Sequence, residues 1–210
     1  MNYLLIILIT FIFKHTFADD IHFADGHGPI SVMGDHMHKK NEIMFSYRLG
    51  KMKMGDTFNG TDRISRTSVM SGPNGASNGA GTYMNAPISM NMNMHMLGAM
   101  YAPFDNLTLM IMGSYLEKEM TSQRMAMAGG AQWDANSSGI GDIRISGLFN
   151  LIHNEQIKTH IGLGLSLPTG SIDERDTTPT SSSARLGYAM QNGSGTYDPF
   201  VFFNNVNVFG

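Results

Sequence analysis

The feature that most constrains this chain is a series of six segments in which apolar and polar residues alternate one by one. In the first of them, Ile43, Phe45, Tyr47 and Leu49 are separated by polar or small residues. Such alternation places apolar side chains on one face of an extended chain and predicts a β-strand. The predicted strands are residues 42–54, 87–101, 107–119, 140–151, 158–167 and a sixth near 196–208.

The connections between these segments differ in length in a regular way. Residues 55–86, 120–138 and a stretch of about 25 residues from 168 form long, polar, glycine-rich connections. Residues 102–106 and 153–156 form short ones. Short turns on one side and long loops on the other are typical of transmembrane β-barrels, whose short turns face the periplasm. We therefore expect an all-β fold, an antiparallel transmembrane β-barrel; a soluble β-sandwich is the alternative.

The composition excludes several other classes of protein. Charged residues make up only 15% of the chain, whereas about 25% is usual for soluble domains. Cysteine is absent, so no disulfide, thiolate metal site or cysteine nucleophile is available. The net charge of -3, without a basic stripe, argues against nucleic acid as a partner. No phosphate-binding loop or acyl-transfer nucleophile motif is present, so we expect no enzyme activity.

The N-terminus has the pattern of an export signal. Residues 1–18 hold an apolar run from Leu4 to Phe13, with Thr16 and Ala18 at the small-residue positions of a cleavage site. We expect cleavage after Ala18, an uncleaved anchor being the alternative, and export to the outer membrane of a Gram-negative cell. Residues 19–41 are then a periplasmic lead-in rich in His and Met, and residues 42–210 the barrel.

Six strands are too few for the predicted barrel, because single-chain barrels begin at about 8 strands. The chain also ends without a final strand that closes on a terminal aromatic residue. We therefore expect an incomplete barrel of about six strands, with further residues beyond Gly210. A stop codon directly after Gly210 in the source DNA would refute this expectation.

The lead-in contains side chains that suit copper. Imidazole and thioether are both copper ligands, and thioether selects the soft Cu(I) ion. In an extended segment His36 and His38 point the same way. The alternative is a polar tail or plug segment whose His residues are solvated or hydrogen-bonded to the barrel rim. The candidate metal ligands are His22, His27, Met33, Asp35, His36, Met37 and His38.

The strand pattern also predicts which side chains line the barrel lumen. Strands one and three carry Leu, Ile and aromatic residues on one face, which places their methionines, including Met52, on the other. In strand two, Asn91, Asn93 and His95 form the polar face, so its methionines are expected to face lipid. Charged lumen residues could set ion selectivity or fill a narrow barrel with an Arg–carboxylate network. The predicted lumen residues are Glu42, Met44, Arg48, Met110, Met112, Asp142 and Arg144.

Several motifs resemble a known family. Gly-Leu-Gly-Leu-Ser-Leu-Pro-Thr-Gly-Ser at 162–171 and Gly-Ser-Gly-Thr-Tyr-Asp at 193–198 are similar to stretches of Gram-negative outer-membrane proteins named for the MetA pathway of phenol degradation. A further resemblance, to a methionine-rich subgroup of that family, is found in residues 29–40, 60–62 and 107–110. The resemblance implies a transporter-like barrel and supplies no catalytic or ligand residues.

Three functions follow as expectations. The first is a porin-like channel or transporter-like barrel for small solutes, with outer-membrane lipid and a solute or metal ion as its partners. The second is an envelope protein that binds copper through its His and Met residues. The third is a structural barrel that transports nothing and acts through its external loops.

Overall fold

The structure is a computed structural model that describes residues 34–73, 81–153 and 157–207. In this structure, the segments of alternating apolar and polar residues form long antiparallel strands. One short helix, α1 (Arg66–Ser71), lies between the third and fourth strands. Among the described residues, no helix has the length and apolar character needed to span a membrane. In chain order the strands are β1 (Ile43–Met54), β2 (Thr57–Asn59), β3 (Asp62–Ile64), β4 (Asn85–Phe104), β5 (Leu107–Arg124), β6 (Gln132–Ile140), β7 (Ile143–His153), β8 (Ile157–Leu167), β9 (Arg175–Thr178), β10 (Ser181–Arg185) and β11 (Asp198–Asn207).

The main sheet is an antiparallel meander with the order β1-β4-β5-β7-β8-β11. Each of these strands pairs with the next long strand along the chain, so the six predicted strands and the all-β class are confirmed. The strands β2 and β3 form one small hairpin, and β9 and β10 form another. Within the described residues β1 and β11 are the edges of the sheet and do not pair with each other, so no closed barrel is formed.

The predicted loop over residues 120–138 is wrong. The strand β5 continues to Arg124, and β6 begins at Gln132 and pairs with the second half of β5 from Tyr115 to Gln123. The first half of β5 pairs instead with β7. Strands β6 and β7 therefore act as one long strand that is interrupted at Gly141 and Asp142. The predicted loop over 55–86 likewise contains β2, β3 and α1.

The two ends of the sheet are distinct. One end, the turn end, carries the tight turn at Asp105 and Asn106 between β4 and β5, together with the end of β7 and the start of β8. The other, the loop end, carries residues 55–73 and 81–84, the hairpin tip at 125–131 and residues 168–197.

One face of the sheet, the apolar face, exposes a continuous band of large hydrophobic side chains. Residues directly opposite each other in an antiparallel sheet share a face, and the register places Tyr47 beside Leu97 and Ile111 beside Ile145. Exposed fractions reach 74% for Phe45 and 66% for Leu97. The members of the band are Ile43, Phe45, Tyr47, Leu49, Leu97, Tyr101, Leu109, Ile111, Tyr115, Ile140, Ile145, Phe149, Leu163, Val201 and Phe203.

The apolar band has a sharp border toward the loop end. Its last row joins Leu49, His95, Tyr115 and Ile140 across four strands. The next row on the same face is Lys51, Asn93, Glu117 and Ser138. The amide of Asn93 lies 3.4 Å from the Glu117 carboxylate. The same face thus changes from apolar to polar within one step of two residues along each strand.

The opposite face, which we call the methionine face, carries methionine and polar side chains. One row across the whole sheet joins Met44, Met100, Met110, Ser146, Gly164 and Phe200. Its core is small, with Met100 1% and Leu148 0% exposed. Residues 34–41 of the lead-in cover this face at the turn end, and part of the loop 171–195 covers it at the loop end.

Candidate functional site

The register brings most of the predicted lumen residues together on the methionine face. Met44 and Met110 flank Met100 in one row, and Met112 lies opposite Arg144 in the next row. Arg48 lies opposite Met96, on the same face and closer to the loop end. Whether this face borders an open lumen stays a prediction.

Two of the predicted lumen residues act at the margins of the sheet. Glu42 lies just before β1, and its carboxylate accepts the backbone N–H of Lys39 at 2.8 Å. Asp142 lies in the interruption between β6 and β7. Its carboxylate accepts the N–H of Gly170 at 2.9 Å and that of Ser194 at 2.7 Å. Both carboxylates therefore fasten neighbouring segments.

The predicted placement of the β4 methionines on a different face from the methionines of β1 and β5 is wrong, whereas the face that meets lipid stays a prediction. The cross-strand pairs Met52–Met92 and Met100–Met110 put them on the same face as the methionines of β1 and β5. Asn91, Asn93 and His95 lie on the opposite face, the one that carries the apolar band. Farther toward the turn end, Leu97, Ala99 and Tyr101 belong to the same face. The methionine face therefore carries the β4 residues Met90, Met92, Met94, Met96 and Met100.

These methionines fall into two groups by burial. Met100 and Met110 form a buried cluster with Leu148, against which Met37 and Met44 pack. Met90 and Met190 form a second buried cluster with Ala135 and Leu186. In contrast, Met92, Met94 and Met96 are only half-buried, and Met52 is 47% exposed. The methionines of the two buried clusters fill the core, as flexible thioether side chains often do. Met52, Met92, Met94 and Met96 lie outside these clusters.

The described part of the lead-in folds against the methionine face at the turn end. The buried imidazole of His160 donates through Nε2 to the Gly34 carbonyl at 2.6 Å. The Asn204 amide donates to the Asp35 carbonyl at 2.8 Å, and the backbone N–H of His38 donates to Thr108 Oγ1 at 3.1 Å. The described part of the lead-in is thus held to the sheet through its backbone.

The predicted copper ligands are only partly brought together. Asp35 Oδ1 lies 3.0 Å from His36 Nδ1, and the His36 and His38 ring centroids lie 4.9 Å apart. The His38 Nδ1 lies 3.4 Å from the Glu42 carboxylate. Within the described ranges, no group of three or more His, Cys, Asp or Glu side chains is arranged to hold a metal ion. His22, His27 and Met33 lie outside the described residues, as does the predicted signal peptide.

A latch at the loop end fixes the segment that follows β8. Asp142 binds the backbone of Gly170 and of Ser194, which lie at the two ends of the loop 171–195. The two backbones also touch, since a Cβ on Gly170 would lie 2.6 Å from Gly193 Cα. The Pro-Thr-Gly and Gly-Ser-Gly motifs thus supply the glycines that this contact requires.

Beyond the latch, part of the loop packs onto the methionine face. The ammonium of Lys118 donates to the carbonyls of Ala189 and Gln191, at 3.1 and 2.5 Å. Ser137 donates to the Met190 carbonyl at 2.6 Å. At the exposed side of the loop, the Arg175 guanidinium binds the Asp173 carboxylate and holds its pKa below the usual range, with Arg185 adding to the effect.

Sequence reasoning missed the polar side chains that hold the lead-in. His160, Thr108 and Asn204 are 126, 70 and 169 residues away from their partners in the lead-in, so no local pattern links them. It also missed the pairing of Gly162 and Gly164 with Phe202 and Phe200 across β8 and β11. The aromatic rings lie where glycine side chains would be. The alternating Gly-x-Gly and Phe-x-Phe patterns were the available signal.

Comparisons with protein families, with curated proteins and with solved structures found no match to this chain. The resemblance to the outer-membrane family stays a prediction.

Proposed function

We propose that this sheet is part of the wall of an outer-membrane β-barrel that acts as a channel or transporter-like protein for small solutes. The observation that carries the proposal is the exposed apolar band on one face, with Met, Ser, Arg and His on the opposite face, which is only partly covered. A soluble β-protein has the reverse arrangement, since its apolar face packs on the core. A barrel in lipid has apolar residues outward and polar residues inward.

The height of the apolar band supports this proposal. On β5 the rows of the band run from Leu107, the cross-strand partner of the band member Phe149, to Tyr115, which is about 27 Å of strand at about 3.4 Å per residue. With a tilt of about 40° the band is about 20 Å high, close to the apolar height of about 25 Å in such barrels. Tyr47 and Tyr115 lie near its border, where aromatic side chains favour the membrane interface.

The proposal includes export and family membership. Cleavage of residues 1–18 would release the protein to the periplasm, as expected for the family that the Pro-Thr-Gly and Gly-Ser-Gly-Thr-Tyr-Asp motifs resemble. The methionine face would then border the aqueous interior, where Arg48 and Arg144 cost little. On the apolar face the same charges would lie in hydrocarbon.

A matched pair of substitutions on β5 tests membrane insertion. Ile111→Arg places a charge in the middle of the band, and we expect it to make folding into lipid vesicles less favourable by about 2–4 kcal/mol. Glu119→Arg lies on the same strand and face, beyond the border, and is expected to change it little. Folding is measured by heat-dependent gel migration and urea titration in vesicles.

Equal effects of the two substitutions, or recovery of the wild-type protein as a soluble periplasmic species, would refute membrane insertion. The inserted wild-type protein is then examined in a planar bilayer. Ion conductance supports the channel. A protein that inserts but does not conduct would instead be the structural barrel.

A further inference from the structure

We propose that Met52, Met92, Met94 and Met96, the methionine ladder, form a thioether site for a soft monovalent cation of the Cu(I) class. This inference deepens the proposed function, because it names the solute class that the methionine face would receive. The inference rests on the proposed function in one respect, namely that the methionine face is in contact with water.

The sheet register places these thioethers within reach of a shared ion. Met52 and Met92 are direct cross-strand partners, and such partners have Cβ atoms about 4.5–5.5 Å apart. Met94 and Met96 follow on the same face of β4, because side chains two residues apart in a strand point the same way. The four side chains thus form a continuous column along β1 and β4.

The backbone leaves room for this column at Gly50, which is the cross-strand partner of Met94. A Cβ on Gly50 would lie 3.6 Å from the Met96 Cε atom and 3.8 Å from the Met94 Cβ atom. The Met96 methyl group therefore lies over Gly50, beside Met94. A larger residue at position 50 would separate these two side chains.

Packing does not account for the ladder. The core methionines of this face, such as Met100 at 1% exposed, are closed off from solvent, whereas Met52 is 47% exposed and the other three are half-buried. Leu or Ile would serve equally well in a purely apolar role. Thioether differs from these side chains in being a soft ligand, which selects Cu(I) over hard cations.

Charge limits which ion can bind and where. The ladder is neutral and supplies no countercharge, so a monovalent cation, which costs less to desolvate than a divalent one, suits it better. Lys118 lies opposite Met92 in the register, but its ammonium is engaged by the carbonyls of Ala189 and Gln191. Arg48 lies opposite Met96, so we place the main ligands at Met52, Met92 and Met94.

The test uses Ag(I), an air-stable probe of Cu(I) chemistry, in equilibrium dialysis against the full chain folded in detergent. The variant Met52→Leu/Met92→Leu/Met94→Leu removes three ligands while nearly conserving volume. We expect its affinity to fall by at least tenfold, since even loss of a partner that only orients a ligand costs about 10–100-fold. The matched control, Met84→Leu/Met125→Leu/Met127→Leu, removes three methionines near the loop end and should bind as the wild type does.

A third variant, His36→Ala/His38→Ala, separates the ladder from the lead-in and should also bind normally. The inference is overturned by absence of Ag(I) binding to the wild type, by equal binding in the ladder variant, or by an equal loss in the lead-in variant. If the triple variant does not fold, the single Met92→Leu variant carries the comparison. If the ladder binds Ag(I) but the protein does not insert into vesicles, the barrel proposal is refuted and the proposed thioether site is still supported.

Discussion

At the residue scale, the contact between Gly170 and Gly193 shows how single residues fix the loop 171–195. A Cβ on Gly170 would meet backbone atoms of Gly193 and Asn192, at 2.6 and 2.8 Å. Backbone atoms cannot rotate away as the end of a flexible side chain can. The two glycines are therefore required by close approach.

We expect Gly170→Ala to lower the free energy of unfolding by about 1–3 kcal/mol, the usual cost of overpacking. Gly187 is the matched control, because it lies in the same loop with a φ of -62° and with nothing within 4 Å of its added Cβ. Gly187→Ala should be neutral or stabilise by about 0.4–1 kcal/mol. Urea unfolding followed by Trp133 fluorescence measures both, and equal effects would argue against the close contact.

The side-chain faces of β4 could not be read from its own residues. On the side of the apolar face, β4 carries Asn91 and Asn93 beyond the band, His95 in its last row, and Leu97 and Tyr101 within it. A pattern taken over the whole strand mixes these two environments, and the methionines then look like the more apolar side. Only pairing with β1 and β5, which is not local information, identifies the faces.

At the element scale, the six long strands were predictable and β6 was not. In the strands that cross the band, apolar and polar residues alternate clearly, because one face of each strand is apolar over the full height of the band. The strand β6 lies largely beyond the border of the band, and there Asp134, Asn136 and Ser138 lie on the same face of the sheet as the band. Its hydrophobic alternation is therefore weak, and residues 120–138 read as a loop.

The Asp142 latch joins the interruption between β6 and β7 to both ends of the loop 171–195. Asp142→Asn removes the charge from two hydrogen bonds with backbone N–H groups, each worth about 1.5–3 kcal/mol when one partner is charged. We expect the loop to open more often, so that trypsin cleaves faster after Arg175 and Arg185. Gel analysis of timed digests measures the rates.

Asp56→Asn is the control for the latch, since Asp56 is a loop-end carboxylate whose ion pair, at 2.6 Å, is with Arg63 in the segment before α1. It should leave cleavage after Arg175 and Arg185 unchanged. Identical digestion of the Asp142 variant and the wild type would show that other contacts hold the loop.

At the scale of the whole molecule, the single tryptophan reports how the sheet sits relative to lipid. Trp133 packs beside the buried cluster of Met90 and Met190, on the methionine face and beyond the border of the band. We expect brominated lipids to quench its fluorescence weakly. In a Trp133→Phe background, Phe45→Trp places the fluorophore on the apolar face, and strong quenching is expected.

Fluorescence intensity in vesicles with and without brominated lipid measures this difference. Equal quenching at positions 133 and 45 would contradict the proposed orientation. Stronger quenching at 133 would mean that the loop end, rather than the band, lies in the bilayer.

Beyond the band, β5 and β6 continue as a polar hairpin, in which β5 also pairs with β4. From Glu117 to Arg124 this hairpin lies outside the apolar rows, which corresponds to about 24 Å of strand at about 3.4 Å per residue. In a barrel inserted as proposed, its tip at residues 125–131 would project from the cell surface. Such a tip is a natural place to graft a peptide for display on living cells.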